Sequence, residues 1–284
     1  MSGTGNNTAI ANLNSQITTG SYNNLNYGVV GRTASASCGP FYAYIHNGLP
    51  RFQIADDSSW RLVLIFSTRD IADEWWRAVS TSTITQLQNN IQRVTPQFYT
   101  HDTRIWNAYN FFTESAVSSV SALFRGKLFL VLENDRGGRG ITVVPRQHIV
   151  DRTSGNWFCI RSVAEPAQHW FYDPSQGRIY AHPTQRTLFR IMADGLQDGG
   201  IMIGSDNVIL VAANAGLVSL GVATNSSNPA LALTPLQVTN SAANAQVFNF
   251  GQLLKGCIAS TDQPAPTPLW FISTGGGLEW ELVL

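Results

Sequence analysis

The chain has 284 residues, of which 44% are hydrophobic, 11% aromatic and only 13% charged. Eighteen basic side chains balance eighteen acidic ones, which leaves no field to draw in nucleic acid, an anionic membrane or an acidic substrate. The length suits one large domain or two ordinary ones, and with so few charges the surface has to be rich in hydroxyls and amides.

The opening MSGTGNNTAIANLNSQ has neither a basic n-region nor an apolar h-region, and no run of 18 apolar residues follows. These features predict a cytoplasmic protein without a transmembrane segment, or one released without a leader. Cys38, Cys159 and Cys257 are too few, too scattered and odd in number for a disulfide framework, so at least one free thiol is expected. Residues 1–36 are dominated by Asn, Ser, Thr and Gly and predict a mobile polar arm, with an early strand near Tyr27 to Val30.

Residues 37–150 read as an α+β domain. Phe41 to Ile54 alternates around Asn47-Gly48, a hairpin signal, and Arg61 to Phe66 is a short apolar run suited to a buried strand. Ser67 and Asp70 have capping-box spacing, and Ile71, Trp75, Ala78 and Val79 form one helical face. The adjacent Trp76 is about 100° away on the helix and is assigned either to the same core or to an interface. Ile84, Leu87, Ile91 and Val94 extend a helical period to Pro96. Ile105, Tyr109, Phe112, Ala116, Val120 and Leu123 predict a long helix over 103–124, and strands are expected at 127–132 and 140–144 around DRGGRG.

Residues 151–284 change character, with short strands between Gly, Pro, Asn and Asp turns, and read as all-β. Three loose repeats are visible. The first runs from WFCIRS (157–162) through WFYDPSQGRIYA (170–181) to TLFRI (187–191); the second from GIMIGS (200–205) through NVILVAANAGLVSLG (207–221) to QVFNF (246–250). The third runs from KGCIAST (255–261) through PLWFISTGGG (268–277) to LEWELVL (278–284). Their closing aromatics are Phe189, Phe248 and Trp280, and their uneven spacing assigns a long insertion to about 222–245.

Three strand-hairpin-strand units, each closing on an aromatic, resemble a β-trefoil, and the charge-poor composition is similar to that of fungal fruiting-body lectins. The resemblance covers residues 151–284; the ricin-type Gln-x-Trp signature is absent, with Phe189 in TLFRI, Phe248 in QVFNF and Trp280 in LEWEL. It implies a β-trefoil-like architecture and a noncatalytic, lectin-like defence protein whose partners are glycans or glycoproteins. Neither cofactor nor metal is expected, and the N-terminal unit is left for homodimerisation or an effector role such as membrane damage.

Sugar recognition needs an aromatic face for pyranose C–H groups together with amide or carboxylate partners for hydroxyls. Trp170, Tyr172, Asp173 and Gln176 around one hairpin turn meet that description, with Asp206, Asn207 and Asn214 in the second repeat and Trp270 in the third. The alternative for Trp170 is a core position, with the Asp-Pro-Ser-Gln-Gly stretch serving only as a turn. The five histidines lack metal-ligand spacing, although His169 and His182 flank one hairpin. Competing readings are an enzyme with a site between the domains, using carboxylates such as Asp102, Glu114, Glu133 or Asp135, and a protein-binding module such as a protease inhibitor.

Overall fold

The computed structural model describes residues 39–47, 61–133, 149–213, 220–225, 228–235, 247–260, 266–272 and 276–284. All of them belong to one compact unit, Ser35–Leu284, which holds two separate hydrophobic cores. The arm over 1–36, the Asn47-Gly48 turn beyond Asn47, the strand at 140–144, the DRGGRG loop, Cys38, Asp135 and Asn214 lie outside the described residues.

The first core lies under a five-stranded sheet of order β3-β4-β1-β2-β5. Its strands are β1 (Phe41–Asn47), β2 (Arg61–Phe66), β3 (Gln92–Thr95), β4 (Phe98–His101) and β5 (Leu128–Glu133). Period-two alternation puts Phe41, Ala43 and Ile45 of β1 and Leu62, Leu64 and Phe66 of β2 on the buried face. Helix α1 (Arg69–Ser80) covers that face with Ala72, Trp75 and Val79. Trp75 packs edge-on to Tyr99 at 5.2 Å and lies 5.6 Å from Phe66, and burial of such rings contributes roughly 1.5–3 kcal/mol apiece.

Several sequence expectations are corrected here. The cap of α1 is Thr68, whose hydroxyl accepts the Ile71 N–H, and not Ser67. Of the two assignments for Trp76, the structure shows the core one: its half-buried ring packs 5.6 Å from Tyr99. The second helical run shrinks to α2 (Thr85–Gln88), because the buried Asn90 side chain donates to the Trp106 carbonyl and accepts the Asp102 N–H, and the chain then enters β3.

The long helix over 103–124 breaks into 3₁₀ turns at Ala108–Asn110, Ser115–Val117 and Ala122–Phe124 and one helical turn, α3 (Ser118–Ser121). Local side chains capture the backbone: Asp102 takes the Arg104 N–H, Asn107 takes the Tyr109 N–H, and Ser118 donates to the Ser115 carbonyl. The buried set shifts to Trp106, Phe111, Val117, Val120 and Phe124, while Ile105, Tyr109 and Leu123 face solvent.

The second core sits inside an 11-stranded, curled β assembly. Its first segment is β6 (Trp157–Ser162), β7 (His169–Asp173), β8 (Arg178–His182) and β9 (Phe189–Ala193); its second is β10 (Asn207–Ala212), β11 (Leu220–Asn225), β12 (Asn228–Pro235) and β13 (Phe248–Asn249). The third is β14 (Ile258–Ser260), β15 (Thr267–Phe271) and β16 (Trp280–Val283). The chain is therefore β-rich, with a small helical part. β6 is flanked by β9 and by the last strand, β16, so the ends of this half close on each other.

The expected insertion at about 222–245 carries most of the β11–β12 hairpin, since NPALALTP alternates with period two and pairs with β11 from Leu220↔Pro235 onward. GIMIGS forms no strand beyond a single bridge from Ile201 to Thr153, and QVFNF ends in a short helix, α4 (Phe250–Leu254), capped by Asn249.

Each segment contributes an antiparallel pair, β7–β8, β11–β12 and β14–β15, and the second strands of these pairs also pair with one another. β8 meets β12 at Arg178↔Ala232, β12 meets β15 at Ala230↔Trp270, and β15 meets β8 at Pro268↔Tyr180. Inward from this triangle point Ile179, Leu231 and Leu269, each 0% exposed, and the closing aromatics Phe189, Phe248 and Trp280 are buried too.

Trp170 is also 0% exposed, wedged edge-on at 5.7 Å from both Phe189 and Trp280. Trp170→Ala leaves a cavity at the junction of three ring systems and should lower stability by about 3–5 kcal/mol in urea denaturation; a loss below about 1 kcal/mol contradicts this packing.

Candidate functional site

Two regions concentrate chemistry: the seam between the two cores and the outer face of the β7, β8 and β15 strands. The seam is built from the face of α1 opposite its apolar stripe, where Arg69, Asp70, Asp73 and Arg77 follow one another at helical spacing. Arg77 donates through Nε to the Ile201 carbonyl at 2.7 Å and pairs through Nη2 with Asp206 at 2.6 Å. Arg69 donates to the Val150 carbonyl. Asp73 lies 3.3 Å from Arg93 and 3.5 Å from Arg152, and Arg93 reaches Asp151 at 2.7 Å. Asp70 takes Arg152 and Lys255 on its two oxygens.

Burial lowers the Arg69 guanidinium to about 10, with Arg152 pushing in the same direction, while burial raises the Asp151 carboxyl. A cleft of about 70 Å³ opens beside this network, lined by Arg69, Arg152, Arg161, Lys255, Glu279 and Glu281 among others. Its cations have acidic neighbours, Arg161 meeting Glu281 at 2.6 Å and Lys255 meeting Asp70 at 2.7 Å, so no net charge stands ready for a ligand. Of the carboxylates expected for a catalytic cleft, Asp102 and Glu114 lie elsewhere. Asp102 pairs with Arg104, Glu114 accepts the Trp106 indole N–H at 2.6 Å, and Glu133 ends β5.

The second region follows from register. β7 and β8 pair His169↔His182, Phe171↔Tyr180 and Asp173↔Arg178, and β15 adds Pro268 beside Tyr180. Because Trp170, Ile179, Ala181 and Leu269 point inward, alternation sends these partners outward. Three rows result: His182 beside His169; Pro268, Tyr180 and Phe171 in line; and Arg178 beside Asp173, with Trp270 two residues beyond Pro268 on β15. His182 Nδ1 accepts the N–H groups of Thr184 and Gln185 at 3.2 and 2.9 Å, which assigns its proton to Nε2, and its ring rests 5.3 Å from that of Phe171. Hydrogen bonds from Ser175 hold the Asp173 carboxyl below the usual range, so it is ionised opposite Arg178.

The residues singled out in the sequence divide accordingly. Asp173, Gln176 and Trp270 lie on or beside this face, Gln176 exposed in the turn and Trp270 half-buried. Trp170 is a core residue and presents no ring to a ligand, because its position in β7 has inward parity. Tyr172 shares that parity and packs against the core. Asp206 is taken by Arg77 and by the Ile203 N–H, and Asn207 is exposed at the start of β10, opposite Asn249. Phe171, Arg178, Tyr180 and Pro268 share this face without being among the residues singled out in the sequence; the alternation in HWFYD and RIYAH is the signal that places the first three, and His169 and His182, which flank the hairpin, meet across it.

Among the described residues no group of three or more His, Cys, Asp or Glu is placed to hold a metal ion, and no helix is long and apolar enough to cross a membrane. No protein-family model matches the chain, and no curated protein matches its sequence.

The seam generates one pH dependence. Burial pushes the Asp70 carboxyl up, but Arg152 and Lys255 outweigh it and hold it below its ordinary value. The unfolded chain then binds the extra proton on acidification, so this contribution is complete above about pH 4 and is lost as the pH falls through the lower folded value. Urea midpoints between about pH 5 and pH 2 should fall less steeply in Asp70→Asn than in the wild type; equal slopes contradict the assignment.

Proposed function

We propose that the chain is a noncatalytic carbohydrate-binding protein of lectin type, with a role in defence, whose β half is a β-trefoil. The observation that carries this reading is the mutual pairing of β8, β12 and β15, each the second strand of its own antiparallel pair. Ile179, Leu231 and Leu269 occupy equivalent inward positions beneath it, and Phe189, Phe248 and Trp280 equivalent closing positions. Such a scaffold presents strand faces and turns with fixed side chains, which suits shallow recognition of hydroxyl-rich ligands by stacking and hydrogen bonds. The aromatic outer face of the first and third pairs, with one carboxylate and one guanidinium, has the groups such recognition uses.

The test is binding of the full chain, fluorescently labelled, to a broad glycan array. Selective, saturable binding to a related set of glycans is expected. Absence of selective binding contradicts the reading and moves the weight to protein partners.

A further inference from the structure

The hairpin turn of the first repeat presents no aromatic ring of its own, and Ser175 occupies one Asp173 oxygen and leaves the other, whereas the strands leading into the turn have a continuous face. Phe171, Tyr180 and Pro268 stand in one row across three strands, so their outer members are roughly 10 Å apart, and the rows from His182 to Arg178 extend the face by about 13 Å. This surface is broader than one pyranose and centred on half-buried rings. Among the described residues of β7, β8 and β15 its formal charges are Asp173 and Arg178, one of each sign in directly opposite positions. Its polar groups alternate in kind: the His182 Nε2–H donates, the Tyr180 hydroxyl does both, Asp173 accepts and Arg178 donates.

We propose that this face, and not the hairpin loops, is the ligand site, and that it takes a linear neutral oligosaccharide lying across β15, β8 and β7. The inference rests on the lectin reading and specifies its site and ligand class. Successive pyranoses place their C–H faces on Tyr180, Phe171 and Trp270, while ring hydroxyls meet His182, Asp173 and Arg178. Neutrality of the face excludes preference for sulfated or carboxylated sugars, because a fixed anion gains at Arg178 only what it loses at Asp173. Its length calls for affinity that grows with the number of sugar units until the rows are filled.

The test uses the full chain, a length series of neutral linear oligosaccharides and their sulfated counterparts, with affinities from calorimetry for wild type, Tyr180→Ala, Trp270→Ala and Tyr180→Phe. Tyr109→Ala, an exposed aromatic of the other half, serves as control. The expected result is affinity rising from disaccharide upward, about tenfold or greater loss in Tyr180→Ala and Trp270→Ala, and near-wild-type binding in Tyr180→Phe and Tyr109→Ala. Saturation transfer from aromatic protons to sugar C–H protons in the wild type gives a readout that needs no variant and is expected to be positive. Glycan binding undiminished in Tyr180→Ala and Trp270→Ala overturns this site while leaving the lectin reading intact. Preference for the sulfated series overturns the neutral ligand class. Wild-type self-association abolished by Tyr180→Ala puts a second copy on the face and overturns the proposal. No glycan binding by the wild type at all defeats the lectin reading itself.

Discussion

Three strands that pair with one another, each belonging to a different segment of the chain, are the constraint on which the β half depends. β8, β12 and β15 are separated by long stretches of sequence, yet each pairs with the other two. That closure forces inward parity on Ile179, Leu231 and Leu269 and, by alternation, outward parity on Arg178, Tyr180, Pro268 and Trp270. A one-residue slip in any of these strands would exchange the two sets, burying Tyr180 or Arg178 and exposing an aliphatic core residue. Core packing and the composition of the outer face are thus one decision made by the register.

The seam between the cores is held differently. The apolar stripe of α1 is spent on its own sheet, so its charged face is left for the β half: Asp70 and Asp73 meet Arg152 and Lys255 there, Asp73 also meets Arg93 of β3, and Arg77 pairs with Asp206. Buried ion pairs of this kind recover little net free energy after desolvation, but breaking one partner leaves an unpaired charge and is strongly unfavourable. The geometry makes specificity the better account of the network. Arg77 reads a backbone carbonyl and Asp206 together, and Asp73 lies between Arg93 and Arg152, so few relative placements satisfy all groups at once.

Much of this fold was legible in the sequence where a local pattern and the tertiary contacts agree. Phe41 to Asn47, Arg61 to Phe66, the amphipathic 69–80 helix and the strands of the first repeat all follow from period and composition. Legibility failed where side chains compete for the backbone: between 103 and 124 the apolar spacing fits a helix, but Asp102, Asn107 and Ser118 divert the hydrogen bonds. It failed again at about 222–245, where a second-repeat hairpin built from small residues looked like an insertion because Ala and Leu alternate among Ser, Asn and Thr. Of the candidate site, the segment was visible but not its face. Trp170 and Phe171 are neighbours of similar chemistry, and only the partner strands decide that Trp170 goes inward and Phe171 outward.

Amide hydrogen exchange of the native full chain, resolved residue by residue, measures the mutual pairing of β8, β12 and β15 most directly. The account predicts that the laddered amides of all three strands exchange together, among the slowest in the β half and at the rate of its global opening. Fast exchange of any one of the three, at rates typical of an isolated hairpin while the other two remain protected, would contradict the closed triangle and with it the outward face that depends on it.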